Sequence, residues 1–158
     1  MRFLIILFLI QRQYNKNCKF FLKSSDNYQL IVADNRGLKD GYSVTVQATK
    51  MKRSDGVRVL VGNNIKLTNP TVTPIDNTVS TLYSPTVNES FYVDAVDLNG
   101  NSIPTVVEIA PAKKAGLSVG WTVTWNDSHI SLNTAPGVAA VGNYQTIITW
   151  TLNDVPEK

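Results

Sequence analysis

Apolar and polar side chains alternate one for one from Tyr144 to Asn153, and no stretch of the chain repeats at helical spacing. Counting by twos, Tyr144, Thr146, Ile148, Trp150 and Leu152 share one face. Gln145, Thr149, Thr151 and Asn153 share the other, and only Ile147 breaks the rule. A period of two is the mark of a β-strand with one buried and one wet face. The same rhythm recurs upstream. Tyr42, Val44, Val46 and Ala48 oppose Ser43, Thr45, Gln47 and Thr49, while Trp121, Val123 and Trp125 oppose Thr122, Thr124 and Asn126. Val57, Val59 and Val61 oppose Arg58, with Leu60 blurring the pattern.

Further strands are predicted over residues 29–33, 64–68, 90–98, 103–110 and 129–132. Turn chemistry separates them at Asn35-Arg36-Gly37, Ser54-Asp55-Gly56, Gly62-Asn63-Asn64, Asn99-Gly100 and Pro136-Gly137. Asn99-Gly100 is the strongest hairpin signal, and it predicts that Phe91–Leu98 pairs with Ile103–Ile109. Residues 69–89, rich in Thr, Asn, Ser and Pro, are expected to form a long surface connection with one irregular strand. Many short strands with closely spaced turns imply an all-β, antiparallel, immunoglobulin-like β-sandwich with long surface loops. At 158 residues the chain suits one domain with a sizeable core.

Charge separates the N-terminus from the remainder. Five of the fifteen basic residues precede residue 24, and the other ten face all twelve acids, a balance of −2. The folded part therefore lacks the clustered Lys and Arg of a nucleic-acid surface. Phe3 to Ile10 is an apolar run of eight behind Arg2. A membrane-spanning helix needs roughly 20 such residues, so no stable span is expected. Gln11-Arg12-Gln13 follows where an export signal would carry small residues. Residues 1–27 are thus a degenerate export signal or a mis-called start, and the domain is taken as 28–156. Cys18 is the single cysteine, so a core must do the work of disulfides.

Reactive chemistry finds little support. His129 is the only histidine, and a lone histidine at a strand start is more often a turn residue than a catalytic base. Ser25-Asp26-Asn27 has no accompanying Ser-x-x-Lys. Asp97-Leu98-Asn99-Gly100-Asn101, with Glu108 twelfth in the count, echoes a calcium loop. It lacks the central glycine and the flanking helices, and a plain turn explains it equally. No catalytic set, metal or cofactor is expected. Trp121, Trp125 and Trp150 crowd the last forty residues, either as shared core or with one or two exposed enough to stack on a sugar or a partner side chain.

Several segments in order carry a more specific signal. Asp34-Asn35-Arg36-Gly37, Gly41 to Val46, Ala112 to Gly116 leading into Gly120-Trp121-Thr122, Gly142-Asn143-Tyr144, and Thr149 to Pro156 closely resemble the WxL domain. The resemblance covers about residues 28–156 and implies export and non-covalent attachment to the Gram-positive cell wall, with peptidoglycan as the ligand. It also implies association with partner surface proteins, so a protein-interaction module is the alternative. The second Trp-x-Leu motif is intact at Trp150 and Leu152, whereas Tyr42 and Val44 stand in the first. A phenol places its donor differently from an indole, so only the packing role carries over to Tyr42. Asp34 and Arg36 read first as turn chemistry, and second as a grip on a ligand carboxylate.

Overall fold

The computed structural model describes residues 27–37, 39–134 and 143–153. Residues 1–26 and Asp154-Val155-Pro156 lie outside them. Strands β1 (Asn27–Asp34), β6 (Thr71–Pro74) and β10 (Val119–Asn126) form one antiparallel sheet in the order β1-β10-β6. A second sheet, in the order β13-β2-β9-β7, holds β2 (Tyr42–Ala48), β7 (Thr86–Val87), β9 (Thr105–Ala110) and β13 (Ile148–Asn153). Two smaller sheets complete the all-β sandwich. One joins β12 (Tyr144–Gln145), β3 (Met51–Arg53) and β4 (Val59–Leu60). The other joins β11 (Ile130–Leu132), β5 (Ile65–Thr68) and β8 (Ser90–Tyr92).

Alternation builds the core because directly opposed residues in an antiparallel pair share a face. Leu30 opposes Val123, Val32 opposes Trp121 and Tyr28 opposes Trp125. Leu30, Val32, Val123 and Trp125 from the first sheet meet Tyr42, Val44, Val46, Val107 and Ile148 from the second in one buried cluster, which Met51, Leu60, Leu67 and Phe91 extend. Phe91 meets Trp125 edge to face at 6.0 Å and 77°, the offset geometry aromatic quadrupoles favour.

Three departures from the sequence expectations have physical causes. Asn99-Gly100 does form a tight turn, with the amide of Gly100 bonding the carbonyl of Asp97. Beyond it, however, only Val96 and Ser102 bridge. β8 pairs with β5 and β9 with β2, so the expected long hairpin is replaced by a crossing between sheets. The valine pattern is inverted: Leu60 is buried, while Val57, Val59 and Val61 are exposed. Ser43 and Thr45, assigned to a wet face, are buried. β2 lies inside its sheet, and Asn153 Nδ2 donates to Ser43 Oγ from the neighbouring strand. Residues 69–89 carry two short strands, β6 and β7, rather than one. His129 ends a 3-10 turn, Asp127–His129, ahead of β11.

The burial contrast predicts the response to truncation. Trp125→Ala should cost about 3–5 kcal/mol, whereas Val57→Ala should change stability by no more than about 0.5 kcal/mol. Urea unfolding followed by tryptophan fluorescence or circular dichroism measures both.

Candidate functional site

The two motif strands are direct neighbours. In the β13–β2 ladder Trp150 opposes Val46, and Leu152 opposes Val44. Tyr42, two residues along β2, is fully buried, while Trp150 and Leu152 are half-buried and packed against the core cluster. The aromatic-x-aliphatic pairs thus form one continuous apolar face. Trp150 sits at its border, because β13 ends the order of its sheet among the described residues. Trp121 and Trp125 are core residues, each at most 2% exposed. Among the described residues their indole N–H groups have no hydrogen-bond partner, so both act through apolar burial. Stacking on a ligand is left to Trp150 alone of the three.

Tyr42 has a second task. Its hydroxyl donates to Glu108 Oε1 at 2.5 Å inside the core. Glu108 reaches that position through a β-bulge. The β2–β9 register shifts between Val44 and Thr45, so Val107 becomes the extra residue and both Val107 and Glu108 turn inward. Burial pushes the Glu108 carboxyl up to about 7, with the Tyr42 hydrogen bond opposing that rise, and among the described residues Oε2 has no partner. Buried in this way, Glu108 cannot complete a calcium loop. The oxygens of Asp97 are taken up by the amides of Asn99 and Asn101 and by the Asn101 side chain.

Asp34 is the opposite case. Burial pushes its carboxyl up, yet hydrogen bonds from Arg36 and Lys113 outweigh that and hold it below the usual value. Arg36 Nε and Nη2 donate to its two oxygens at 2.8 and 2.9 Å, and Arg36 Nη2 also donates to the Gly41 carbonyl at 3.1 Å. Buried Lys113 Nζ donates to the Asp34 carbonyl at 2.9 Å and lies 3.2 Å from Oδ2. Backbone bonds from Lys113 to Lys39 and from Gly116 to Gly37 complete a clasp between two loops. Gly41 is required because a Cβ there would stand 2.1 Å from the Ala110 carbonyl oxygen. Arg36 and Asp34 are therefore engaged with one another, in the turn role. Lys113 is the partner that sequence reading passed over. Its place among small residues in Ala112-Lys113-Lys114-Ala115 gave no sign of which lysine turns inward.

Other reactive candidates do not assemble. Ser128 Oγ donates to Asn126 Oδ1, and no hydrogen bond to the His129 imidazole is formed among the described residues. No group of three His, Cys, Asp or Glu there is placed to hold a metal. Asp94, buried and likewise unforeseen, accepts the amides of Asn64 and Ile65 and serves the turn before β5.

Comparison with known families matches residues 10–156 to the WxL domain, described as surface cell wall-binding. The chain belongs to the WxL domain family. Comparison with curated proteins and with solved structures returned no match. Membership makes this a cell-surface, wall-binding domain and implies a Gram-positive origin. Among the described residues no helix is long and apolar enough to cross a membrane. In this WxL domain the phenol at position 42 supplies the donor to Glu108.

The opposed carboxyls predict a pH profile. Glu108 titrates near 4.5 when unfolded and near 7 when folded, so between those values the folded state holds the extra proton. Stability therefore falls as pH rises through that window, by about 3 kcal/mol in total. Asp34, held low, contributes stability that is lost as pH drops through its depressed value. The melting temperature should peak at mildly acidic pH, and Glu108→Gln should flatten the decline toward neutrality. An unchanged slope in that variant would refute the assignment.

Proposed function

We propose that the domain is a non-enzymatic module that attaches the protein to peptidoglycan through a shallow surface of many weak contacts. The observation that carries this reading is the half-buried indole of Trp150 at the border of the motif face, in a chain of the wall-binding WxL family. A half-buried ring, held against the core cluster, can stack its exposed part against the apolar face of a sugar without the cost of ordering a mobile side chain. Asp34 and Arg36 support this surface from behind by fixing the start of β2.

A second reading rests on the position of β13. Among the described residues it pairs with β2 alone, and a strand at the end of a sheet can accept a strand from a partner surface protein. Retention on another surface protein's ectodomain, with no retention on clean sacculi, would favour it.

Purified sacculi test the first reading. The wild-type chain should be pulled down, and most of that binding should persist at about 0.15 M salt, where exposed charges are screened beyond ~8 Å. Trp150→Ala should lose at least tenfold in binding while keeping its β-type circular dichroism. Should that variant unfold, Trp150→Phe preserves the packing and should still bind more weakly. Full binding by a folded Trp150→Ala protein would remove the indole from the contact surface.

A further inference from the structure

The ladder formed by β2 with β13 changes over to β3 with β12 at Thr49, and a groove of about 730 Å³ opens there. The floor of the groove is closed. Thr49 N donates to the Ile147 carbonyl, Ile147 N donates to Thr49 Oγ1, and Thr146 Oγ1 donates to the Thr49 carbonyl. These hydroxyls are spent on the fold. The groups left for a ligand are Lys50, Lys52, Ser54 and Gln145, with the Ile147 side chain 41% exposed beside them.

The charge of this groove departs from that of its domain. From residue 24 onward acids outnumber bases by two, yet among the described residues the groove is lined by Lys50, Lys52 and Arg53 and by no carboxylate. Arg53 is already held by Asp55 at 2.9 and 2.5 Å. Lys50 and Lys52 are exposed on either side of buried Met51 and form no ion pair among the described residues. Two residues of extended chain span about 6.7 Å, so the two ammonium groups can meet successive anionic groups on one flexible strand. Among the described residues no aromatic ring lines the groove, which leaves a neutral sugar none of them to stack on.

We propose that this groove binds an anionic segment of a wall polymer. Its carboxylate or phosphodiester oxygens meet Lys50 and Lys52, Ser54 and Gln145 hydrogen-bond alongside, and Ile147 packs on the carbon backbone between the charges. The proposal rests on the wall-attachment reading and adds to it a second contact region and the charge class of its ligand. Trp150 and the groove then contact the wall at different places, the former by stacking and the latter by charge.

Two soluble probes test it: a muropeptide with free stem-peptide carboxylates and a glycerol-phosphate oligomer. Each is titrated into the full chain at low salt and followed by amide chemical shifts. At least one probe should move the amides of residues 50–54 and 145–147. Lys50→Glu with Lys52→Glu should weaken that binding tenfold or more, with circular dichroism unchanged, and the probe that responds identifies the source of the anion. If neither probe moves those amides, or if the double variant binds as the wild type does, the groove is not a ligand site. Should the double variant unfold, Lys50→Gln with Lys52→Gln removes the charge more gently and should weaken binding in the same direction. Sacculus retention of the wild-type chain, measured in parallel, separates failure of the groove from failure of wall attachment.

Discussion

The antiparallel register of β13 against β2 is the constraint on which the rest depends. It sets Trp150 beside Val46 and Leu152 beside Val44, and so makes one apolar face from two motifs about a hundred residues apart. A slip of one residue would turn that whole face to solvent and bring Thr149 and Thr151 into the core. The register is carried onward at Thr49, whose backbone and hydroxyl bridge Thr146 and Ile147 where regular pairing lapses. Past that joint Tyr144 opposes Arg53 and Gln145 opposes Lys52. The motif face and the cationic groove are therefore two consequences of one pairing, on either side of a single interruption.

Buried charge is handled in two ways within the same framework. Asp34 is surrounded by donors, from Arg36 and Lys113, and it ties the start of β2 to the loop before β10. Such a clasp is costly to break because losing either cation strands a carboxylate in the interior. Among the described residues Glu108 accepts a hydrogen bond from the Tyr42 hydroxyl alone, and burial dominates its titration. The bulge at Val107 makes this arrangement possible, since a regular β9 would have alternated one of the two residues outward.

Much of this was legible in the sequence wherever a strand has one covered face. The rows Tyr42-Val44-Val46, Trp121-Val123-Trp125 and Ile148-Trp150-Leu152 all turn inward as their period indicates. Alternation states which side chains share a side, but it does not state whether the other side is covered. Ser43 and Thr45 are buried on that second side despite their polar place in the alternation. Around Val57 the chain turns instead of running extended, and the strand that follows, β4, is only two residues long, so counting by twos had too little strand to act on. The choice of sheet partner for β8 and β9 depends on contacts far along the chain, which a local Asn-Gly signal cannot report. The candidate site divides in the same way. Trp150, Leu152, Tyr42 and Val44 carried a pattern, whereas Lys113, Glu108 and the groove at Lys50 and Lys52 exist only through long-range pairing.

Cross-strand backbone contacts measured by solution NMR on the intact chain test the pairing itself. The account predicts that nuclear Overhauser effects join residue 46 to 150 and residue 44 to 152, with the ladder resuming between 53 and 144. Contacts displaced by one position, such as 45 to 150, would place the tryptophan on the opposite side of the sheet and contradict it.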